Sequence, residues 1–292
     1  MAEPKILTTH PTLSYALLDS GDGEKLERYG AIVVARPDPQ ALWKKLRAPA
    51  QWAAADAIFT RDDEDAGWKI GKQVPERWNI ELAGIKLWVR PTSFKHMGVF
   101  PEQVPNWTWI SDLILRAARP ITVLNLFGYT GGASLAAAAA GAEVCHVDGS
   151  RVAINWARDN AKLAGLENKP VRWILDDVRG FLKRELKRGR RYDGIIMDPP
   201  AFGHGADKEV WKIEDDFLPL LDLCREILSD KPLFFLIHGY ASGYSSIAYE
   251  NNLTGLVAGL GGAIEIGELT IAEELAGRLL PSGIFARWNA IV

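Results

Sequence analysis

The chain has few cysteines and no long apolar run, and these absences exclude several classes of protein. Its only two cysteines are Cys145 and Cys224, which excludes a disulfide framework and a paired-cysteine metal site. The longest apolar stretch, around residues 133–140, is mostly alanine and is far too short to cross a bilayer. Residues 1–10 lack the charged start and apolar run of a secretory signal, so we expect a cytoplasmic protein.

A strong excess of charge is also missing. The formal net charge of -3 gives no general signal of nucleic-acid binding, and the five histidines are scattered singly, so we expect no metal site. Hydrophobic residues make up 48% of the chain and charged residues 24%, the balance of a globular protein with a large core. At 292 residues the length favours two domains.

The first part of the chain is irregular and rich in turn signals, whereas the second part is regular. Residues 1–109 predict a small N-terminal α+β domain, in which the alternating segments 78–82 and 85–89 are typical of a β-hairpin. From residue 110 to 292, apolar strand patterns alternate with amphipathic helix patterns, clearest at 151–163 and 213–228. The predicted strands are 121–127, 143–148, 171–176, 193–198, 233–238, 263–271 and 284–292.

This alternation predicts an α/β fold for residues 110–292. Strands that are joined by helices pair in parallel, and the helices cover both faces of the sheet. The last two predicted strands lack a helix of crossover length between them, so they are expected to form a hairpin. We therefore expect a Rossmann-like, seven-stranded, mainly parallel sheet with an antiparallel last strand.

A glycine-rich turn follows the first of these strands. Gly128, Gly131 and Gly132 allow the backbone to approach a ligand closely, and Asp148 stands twenty residues after Gly128, at the tip of the second strand. A carboxylate at that place accepts hydrogen bonds from two ribose hydroxyls. This order of strand, glycine turn, helix, strand and acid fits a nucleoside cofactor, but it does not distinguish NAD from S-adenosylmethionine. The spacing departs from the GxGxxG of pyrophosphate binding, which favours S-adenosylmethionine.

Acidic residues also end the third and fourth strands. Asp177 is placed to reach an adenine amino group, or alternatively to cap the helix that begins near Val178. Asp198, Pro199, Pro200 and Phe202 form the stretch DPPAF. The prolines leave carbonyl oxygens free to face the cleft, Asp198 accepts hydrogen bonds from a base nitrogen, and Phe202 offers a ring for stacking. The alternative is a rigid turn that closes a buried strand.

The segments VLNLFGYTGG, HVDGS, DDV and DPPAF resemble the successive motifs of class I S-adenosylmethionine-dependent methyltransferases, and the match spans 121–292. DPPAF, the segment HMGVFPEQVPNW and the small N-terminal domain resemble the bacterial family of large-subunit ribosomal RNA methyltransferases for cytosine C5 and guanine N7. The resemblance implies S-adenosyl-L-methionine as cofactor and RNA, above all ribosomal RNA, as substrate. The cofactor residues that it implies are Phe127, Gly128, Thr130, Gly131, Asp148 and Asp177, and Tyr129, Ser150 and Asp198 are further candidates for cofactor binding. From the chemistry of DPPAF, the candidate catalytic residues are Asp198, Pro199, Pro200 and Phe202.

One departure from that family bears on the methylated atom. Cytosine C5 transfer needs a cysteine thiolate, which in the related enzymes follows the fifth strand, but residues 235–242 contain no cysteine. Nitrogen methylation is therefore favoured over carbon methylation. His238, at this strand end, is either a base or a structural residue. The basic run 183–191 is either a phosphate-binding segment or a solvated helix face.

Two functions from other classes stay open at this point. An NAD-dependent oxidoreductase uses the same kind of cleft, although the glycine spacing and DPPAF count against it. A binding module that holds the cofactor without turnover is compatible with the missing cysteine. The oligomeric state has no sequence signal.

Overall fold

The computed structural model describes residues 2–60, 67–93, 95–204, 209–240 and 243–290. The chain forms two compact units. The first unit comprises the residues up to 7, residues 106–268 and the residues from 283 onward. The second unit comprises residues 8–105 and 269–282, so the chain enters it at the start and again near the end.

The strands are β1 (Lys5–Thr9), β2 (Tyr15–Gly21), β3 (Glu24–Tyr29), β4 (Ile32–Pro37), β5 (Ala57–Thr60), β6 (Gly67–Ile70), β7 (Trp78–Leu82), β8 (Ile85–Val89), β9 (Thr122–Leu126), β10 (Glu143–Asp148), β11 (Val171–Leu175), β12 (Gly194–Met197), β13 (Phe202–His204), β14 (Val210–Lys212), β15 (Phe234–Gly239), β16 (Ala263–Ala272) and β17 (Leu279–Asn289). The helices are α1 (Pro49–Ala53), α2 (Val104–Arg116), α3 (Gly132–Ala139), α4 (Arg151–Leu163), α5 (Val178–Lys187), α6 (Ile213–Ile227) and α7 (Ser246–Leu256), and a 3-10 turn spans Pro101–Gln103.

The first unit is built on a mainly parallel sheet. Its strand order is β1-β16-β17-β15-β12-β9-β10-β11. The strands from β15 to β11 pair in parallel, and β17 runs antiparallel to β15. This confirms the predicted Rossmann-like α/β class with an antiparallel last strand. The structure adds an eighth strand, β1, which comes from the first residues of the chain.

Register places the ends of the central strands side by side. Leu126, the last residue of β9, pairs with Val147 of β10 and with Met197 of β12. Because these strands are parallel, the loops that follow them leave the sheet at the same edge. The residues that the sequence placed after the predicted strands therefore share one edge of the sheet.

Apolar side chains on both faces of this sheet explain its stability. β12 and β15 are buried along their whole length, as expected for parallel strands that are covered by helices on both sides. Helix α6 turns Leu220, Cys224 and Ile227 inward, at the spacing of one helical face. Cys145 and Cys224 are both buried free thiols.

The second unit consists mostly of strands. It holds a five-stranded sheet in the order β2-β3-β4-β5-β6 and the separate hairpin β7-β8. This hairpin confirms the prediction for segments 78–82 and 85–89. Ala83 and Gly84, at its tip, have φ values of 47° and 74°, the left-handed backbone that a two-residue hairpin turn requires.

None of the helices in the described part of the chain combines the length and the apolar composition that crossing a bilayer demands.

Candidate active site

The turn between β9 and α3 has an unusual backbone. Phe127 and Tyr129 have φ values of 58° and 49°, a left-handed conformation that costs energy for residues with a side chain. Gly131, with φ of 91°, is the N-cap of α3, and its N–H donates to the carbonyl oxygen of Gly128 at 3.1 Å. Such conformations cluster at functional sites, where the surrounding structure holds them in place.

Two glycines let this turn lie directly on its neighbours. A Cβ atom added to Gly128 would lie 2.4 Å from Cε1 of His146. One added to Gly132 would lie 2.2 Å from Cζ2 of Trp107. Neither position accepts a larger residue without movement of a buried ring, so these glycines let the turn lie against the rings of His146 and Trp107.

A buried network of polar side chains holds the His146 ring against which the turn lies. The Nδ1 atom of His146 lies 2.9 Å from Oγ of Ser134, which also accepts a hydrogen bond from Nδ2 of Asn125 at 2.9 Å. The His146 ring packs on Trp173 with a centroid distance of 4.9 Å. Burial lowers the pKa of His146 to about 3, so the ring is neutral at physiological pH. Sequence reasoning missed this network, although polar Asn125 and His146 interrupt otherwise apolar strands.

Asp148 ties the end of β10 to the glycine turn. Its Oδ2 atom accepts the N–H of Tyr129 at 2.8 Å, and its Oδ1 atom accepts the N–H of Ser150 at 2.7 Å. Burial raises the pKa of Asp148, while the two backbone hydrogen bonds oppose that rise. Each carboxylate oxygen has a second lone pair, so the group remains able to accept two hydroxyl hydrogens.

Thr130 and Ser150 complete the surroundings of this turn. The carbonyl oxygen of Thr130 accepts a hydrogen bond from Nδ2 of Asn160 at 2.9 Å, which fastens the turn to α4. Ser150 is the N-cap of α4, and its Oγ atom accepts the N–H of Ala153 at 3.3 Å. The sequence-predicted residues 127–131, Asp148 and Ser150 thus lie together at the ends of β9 and β10.

Asp177 caps a helix. Its Oδ1 atom accepts the N–H groups of Arg179 and Gly180 at 3.1 and 3.0 Å, and its Oδ2 atom lies 3.1 Å from the guanidinium of Arg179. These contacts show that Asp177 caps α5. The oxygens of the same carboxylate retain lone pairs that can accept a further hydrogen bond. The neighbouring Asp176 forms an ion pair with Arg184.

The DPPAF stretch follows β12 and has fewer free carbonyls than expected. The carbonyl oxygen of Pro200 accepts the indole N–H of Trp211 at 2.6 Å, and that of Ala201 accepts the N–H of Ile213 at 3.1 Å. The expectation of free proline carbonyls is therefore wrong for Pro200, because Trp211 supplies a donor. The Asp198 side chain is 35% exposed and Phe202 is 57% exposed, so both side chains are available to a ligand.

His238 lies beside Asp198. Its Nδ1 atom is 3.4 Å from Oδ1 of Asp198, and within the described part of the chain it has no hydrogen-bond partner. Burial, together with the charge of Asp198, raises the pKa of the nearby Tyr249 to about 12. The ends of β12 and β15 therefore bring a carboxylate and an imidazole close to each other, with the phenol of Tyr249 from α7 nearby.

The basic run 183–191 is partly structural. Arg184 pairs with Asp176, and Arg188 pairs with the fully buried Glu185 at 2.9 Å. Glu185 also accepts hydrogen bonds from Arg172 and from the hydroxyl of Tyr192. Two of the six cations thus serve the fold, which favours the solvated-face interpretation for that part of the run.

These residues fit a nucleoside cofactor. The glycine turn holds Phe127, Tyr129 and Gly131 in left-handed backbone conformations, which cluster at ligand-binding and catalytic sites. Asp148 lies one strand away and is held in place by two backbone donors. A carboxylate held in this way matches the hydroxyl donors of a ribose-bearing ligand at the edge of the sheet.

Comparison with known proteins agrees with this geometry. Residues 40–232 match the family model described as S-adenosylmethionine-dependent methyltransferase. The chain is 28% identical over 237 residues to ribosomal RNA large subunit methyltransferase K of Neisseria meningitidis serogroup B, with 77% of this chain and 66% of that protein covered. It is 36% identical over 140 residues to ribosomal RNA large subunit methyltransferase I of Aeromonas salmonicida, with 48% of this chain and 34% of that protein covered. The chain thus spans less than two thirds of these relatives' lengths.

Solved structures show the same likeness. The SAM-dependent methyltransferase from Agrobacterium tumefaciens superposes with a TM-score of 0.94 at 46% identity, covering 98% of this chain and 94% of that one. A methyltransferase structure complexed with SAH superposes with a TM-score of 0.72 at 22% identity, covering 94% of this chain and 75% of that one, and shares the fold. The chain belongs to the S-adenosylmethionine-dependent methyltransferase family.

Proposed function

We propose that this methyltransferase acts on a nucleobase in RNA, above all ribosomal RNA, and that it methylates a nitrogen atom. The observation that carries the proposal is the loop after β12, where the Asp198 carboxylate and the exposed Phe202 ring follow the strand next to the glycine turn. A flat, nitrogen-bearing group suits this pair of side chains. The names of the ribosomal RNA methyltransferase relatives support the same substrate class.

The cofactor site of the proposal is the turn after β9. Residues 127–131 line the methionine and ribose side of S-adenosyl-L-methionine, Asp148 accepts from the ribose hydroxyls with Ser150 beside it, and Asp177 accepts from the adenine amino group. When bound, the cofactor supplies an electrophilic methyl group on its sulfonium. Asp148 needs no movement for its role, because Tyr129 and Ser150 already hold its carboxylate.

The acceptor site of the proposal is the segment 198–202. Phe202 stacks against the base, and the Asp198 carboxylate accepts a hydrogen bond that orients the base. Pro199 and Pro200 restrict the backbone between them, so these two side chains keep their spacing. A nitrogen with a lone pair requires chiefly in-line placement against the methyl group, which such positioning provides.

The two cysteines support nitrogen as the methylated atom. Burial raises the pKa of Cys145 to about 11 and raises that of Cys224 still further, so neither supplies a thiolate at neutral pH. Residues 235–242, which correspond to the place of the catalytic cysteine in the related enzymes, contain none. Carbon methylation by thiolate attack therefore has no nucleophile of the required kind.

The test is transfer of a labelled methyl group from S-adenosyl-L-methionine to ribosomal RNA from a strain that lacks this gene. Nuclease digestion and mass spectrometry of the nucleosides then identify the modified atom. We expect an N-methylated base at one position, in single-turnover as well as multiple-turnover reactions. A C-methylated base would overturn the assignment to nitrogen, and absence of transfer despite cofactor binding would favour a binding module without turnover.

The proposal assigns residues 110–292 to catalysis and residues 1–109 to a smaller N-terminal domain, in a cytoplasmic protein. Deletion of the first segment is not a clean test of this division, because residues 269–282 belong to the same compact unit as residues 8–105. Crosslinking of the full chain to ribosomal RNA, followed by mapping of the crosslinked peptides, tests whether the N-terminal segment contacts the substrate.

A further inference from the structure

Trp211 is a buried side chain that touches the DPPAF segment. It belongs to β14, is only 3% exposed, and donates its indole N–H to the carbonyl oxygen of Pro200 at 2.6 Å. A buried indole N–H requires an acceptor, and a buried carbonyl oxygen without a donor would likewise cost free energy. This hydrogen bond therefore fixes where the middle of the segment 198–202 lies.

The same indole touches the glycine turn. Its ring meets the ring of Phe127 edge to face, with a centroid distance of 5.0 Å and an interplanar angle of 64°. Phe127 holds the first left-handed position of that turn. One side chain thus contacts both the turn assigned to the cofactor and the segment assigned to the acceptor.

The backbone around Trp211 is held on both sides. Arg179 donates to the carbonyl oxygen of Val210 at 3.2 Å, and Asp216 accepts the N–H of Lys212 at 2.8 Å. Arg179 and Asp216 also form an ion pair with each other, and the guanidinium lies 6.0 Å from the Trp211 ring centre. Trp211 is therefore anchored by Arg179 and Asp216 in addition to the pairing of β14 with β13, in which Gly203 is its partner.

We propose that Trp211 is a positioning residue that sets the distance between the acceptor segment 198–202 and the glycine turn. The inference rests on the proposed function, since it takes the acceptor role of that segment from there. Its consequence is specific: loss of the indole N–H impairs methyl transfer while cofactor binding, which depends on the turn and Asp148, is retained.

The experiment compares Trp211→Phe with Trp288→Phe. Trp288 is also buried and also donates its indole N–H to a backbone carbonyl, that of Gly261 at 2.7 Å, but it lies on β17. Both variants lose one partly buried hydrogen bond from an indole N–H to a backbone carbonyl oxygen. We expect Trp211→Phe to lower the single-turnover transfer rate roughly tenfold, with the dissociation constant for S-adenosyl-L-methionine changed less than twofold. Trp288→Phe should leave both quantities near the wild-type values.

A second readout separates this inference from the proposed function. Hydrogen exchange is measured on both variants with S-adenosylhomocysteine bound, which requires no RNA substrate. We expect faster exchange of the Ala201, Phe202 and Gly203 amides in Trp211→Phe alone. Unchanged exchange there, equal rate losses in the two variants, or a parallel loss of cofactor affinity would each overturn the positioning role. Absence of wild-type transfer to RNA, with the exchange difference present, would instead refute the proposed function.

Discussion

Gly128 lies against the imidazole of His146 so closely that a single added Cβ atom would stand 2.4 Å from Cε1 and 2.5 Å from Nδ1. The ring cannot retreat freely, because Ser134 holds Nδ1 at 2.9 Å and Trp173 packs on its face. The turn assigned to the cofactor is thus seated on a fixed, uncharged ring from the neighbouring strand.

We predict that Gly128→Ala shifts this turn and removes measurable binding of S-adenosyl-L-methionine. The added methyl group must displace either the buried ring or the turn itself, which costs on the order of 1 to 3 kcal/mol of stability. Calorimetric titration of the cofactor and chemical denaturation measure the two effects. Gly255→Ala is the control, because Gly255 lies in α7 and an added Cβ meets no atom within 4 Å. Wild-type affinity in Gly128→Ala would contradict the role of this contact.

The sequence could predict the strands and the order of their loops, because these depend on local periodicity. The segment 143–148 and the helix 151–163 match β10 and α4 at both ends. The position of Asp148 and Asp198 at the same edge of the sheet follows from parallel pairing, because the residues after neighbouring parallel strands lie at one edge.

Contacts between side chains of different elements left no such periodic signal in the sequence. Trp211 of β14 reaches Pro200, which precedes β13, and His146 of β10 reaches Ser134 of helix α3. Neither pair shows a periodic pattern, because each depends on side-chain direction after folding. The strand β1 was missed for a similar reason: its pairing with β16 joins opposite ends of the chain, and a short edge strand has a weak pattern of its own.

The two carboxylates at the sheet edge are predicted to affect different steps. Asp148→Asn should weaken binding of S-adenosyl-L-methionine by about 1 to 3 kcal/mol, because the amide replaces one of two oxygens that accept hydrogen bonds. Asp198→Asn should leave that binding largely intact and should lower the transfer rate, because Asp198 orients the acceptor. Equilibrium titration and single-turnover transfer measure the two quantities.

Asp176→Asn is the matched control for this pair, since Asp176 also lies at the carboxyl edge of the sheet but forms an ion pair with Arg184. It should change neither cofactor affinity nor transfer by more than a small factor. If Asp198→Asn lowers affinity and rate equally, Asp198 belongs to the cofactor site rather than to the acceptor site.

Asp177 is predicted to have two separable roles. Asparagine is as good an N-cap as aspartate, so Asp177→Asn should retain the cap, whereas Asp177→Ala should cost about 1 kcal/mol of stability. If the carboxylate also accepts from adenine, both variants lose cofactor affinity. Thermal unfolding of the cofactor-free protein and titration of the cofactor separate the effects. Full affinity in both variants would show that Asp177 only caps α5.

The second unit is predicted to lose stability as the pH rises through 7, because of Glu102. Its side chain is 6% exposed, and burial raises its pKa to about 7 despite the opposing charges of Lys25 and Arg36. An acid whose pKa is higher in the folded state than in the unfolded state binds more protons when folded. Its contribution to stability is therefore complete below the unfolded pKa of about 4.5 and is lost as pH rises through about 7.

Glu102→Gln keeps the shape of the protonated side chain and cannot ionise. We expect the free energy of unfolding of this variant, relative to the wild type, to increase by about 2 kcal/mol between pH 5.5 and pH 8.5. Urea denaturation of the full chain at both pH values measures the difference. Glu27→Gln is the contrasting control: burial raises the pKa of Glu27, but the nearby cations Arg36 and Lys25 lower it to about 2 overall, so its carboxylate stabilises the fold. Glu27→Gln should therefore be destabilised at both pH values, and a flat difference for Glu102→Gln would show that Glu102 does not titrate in this range.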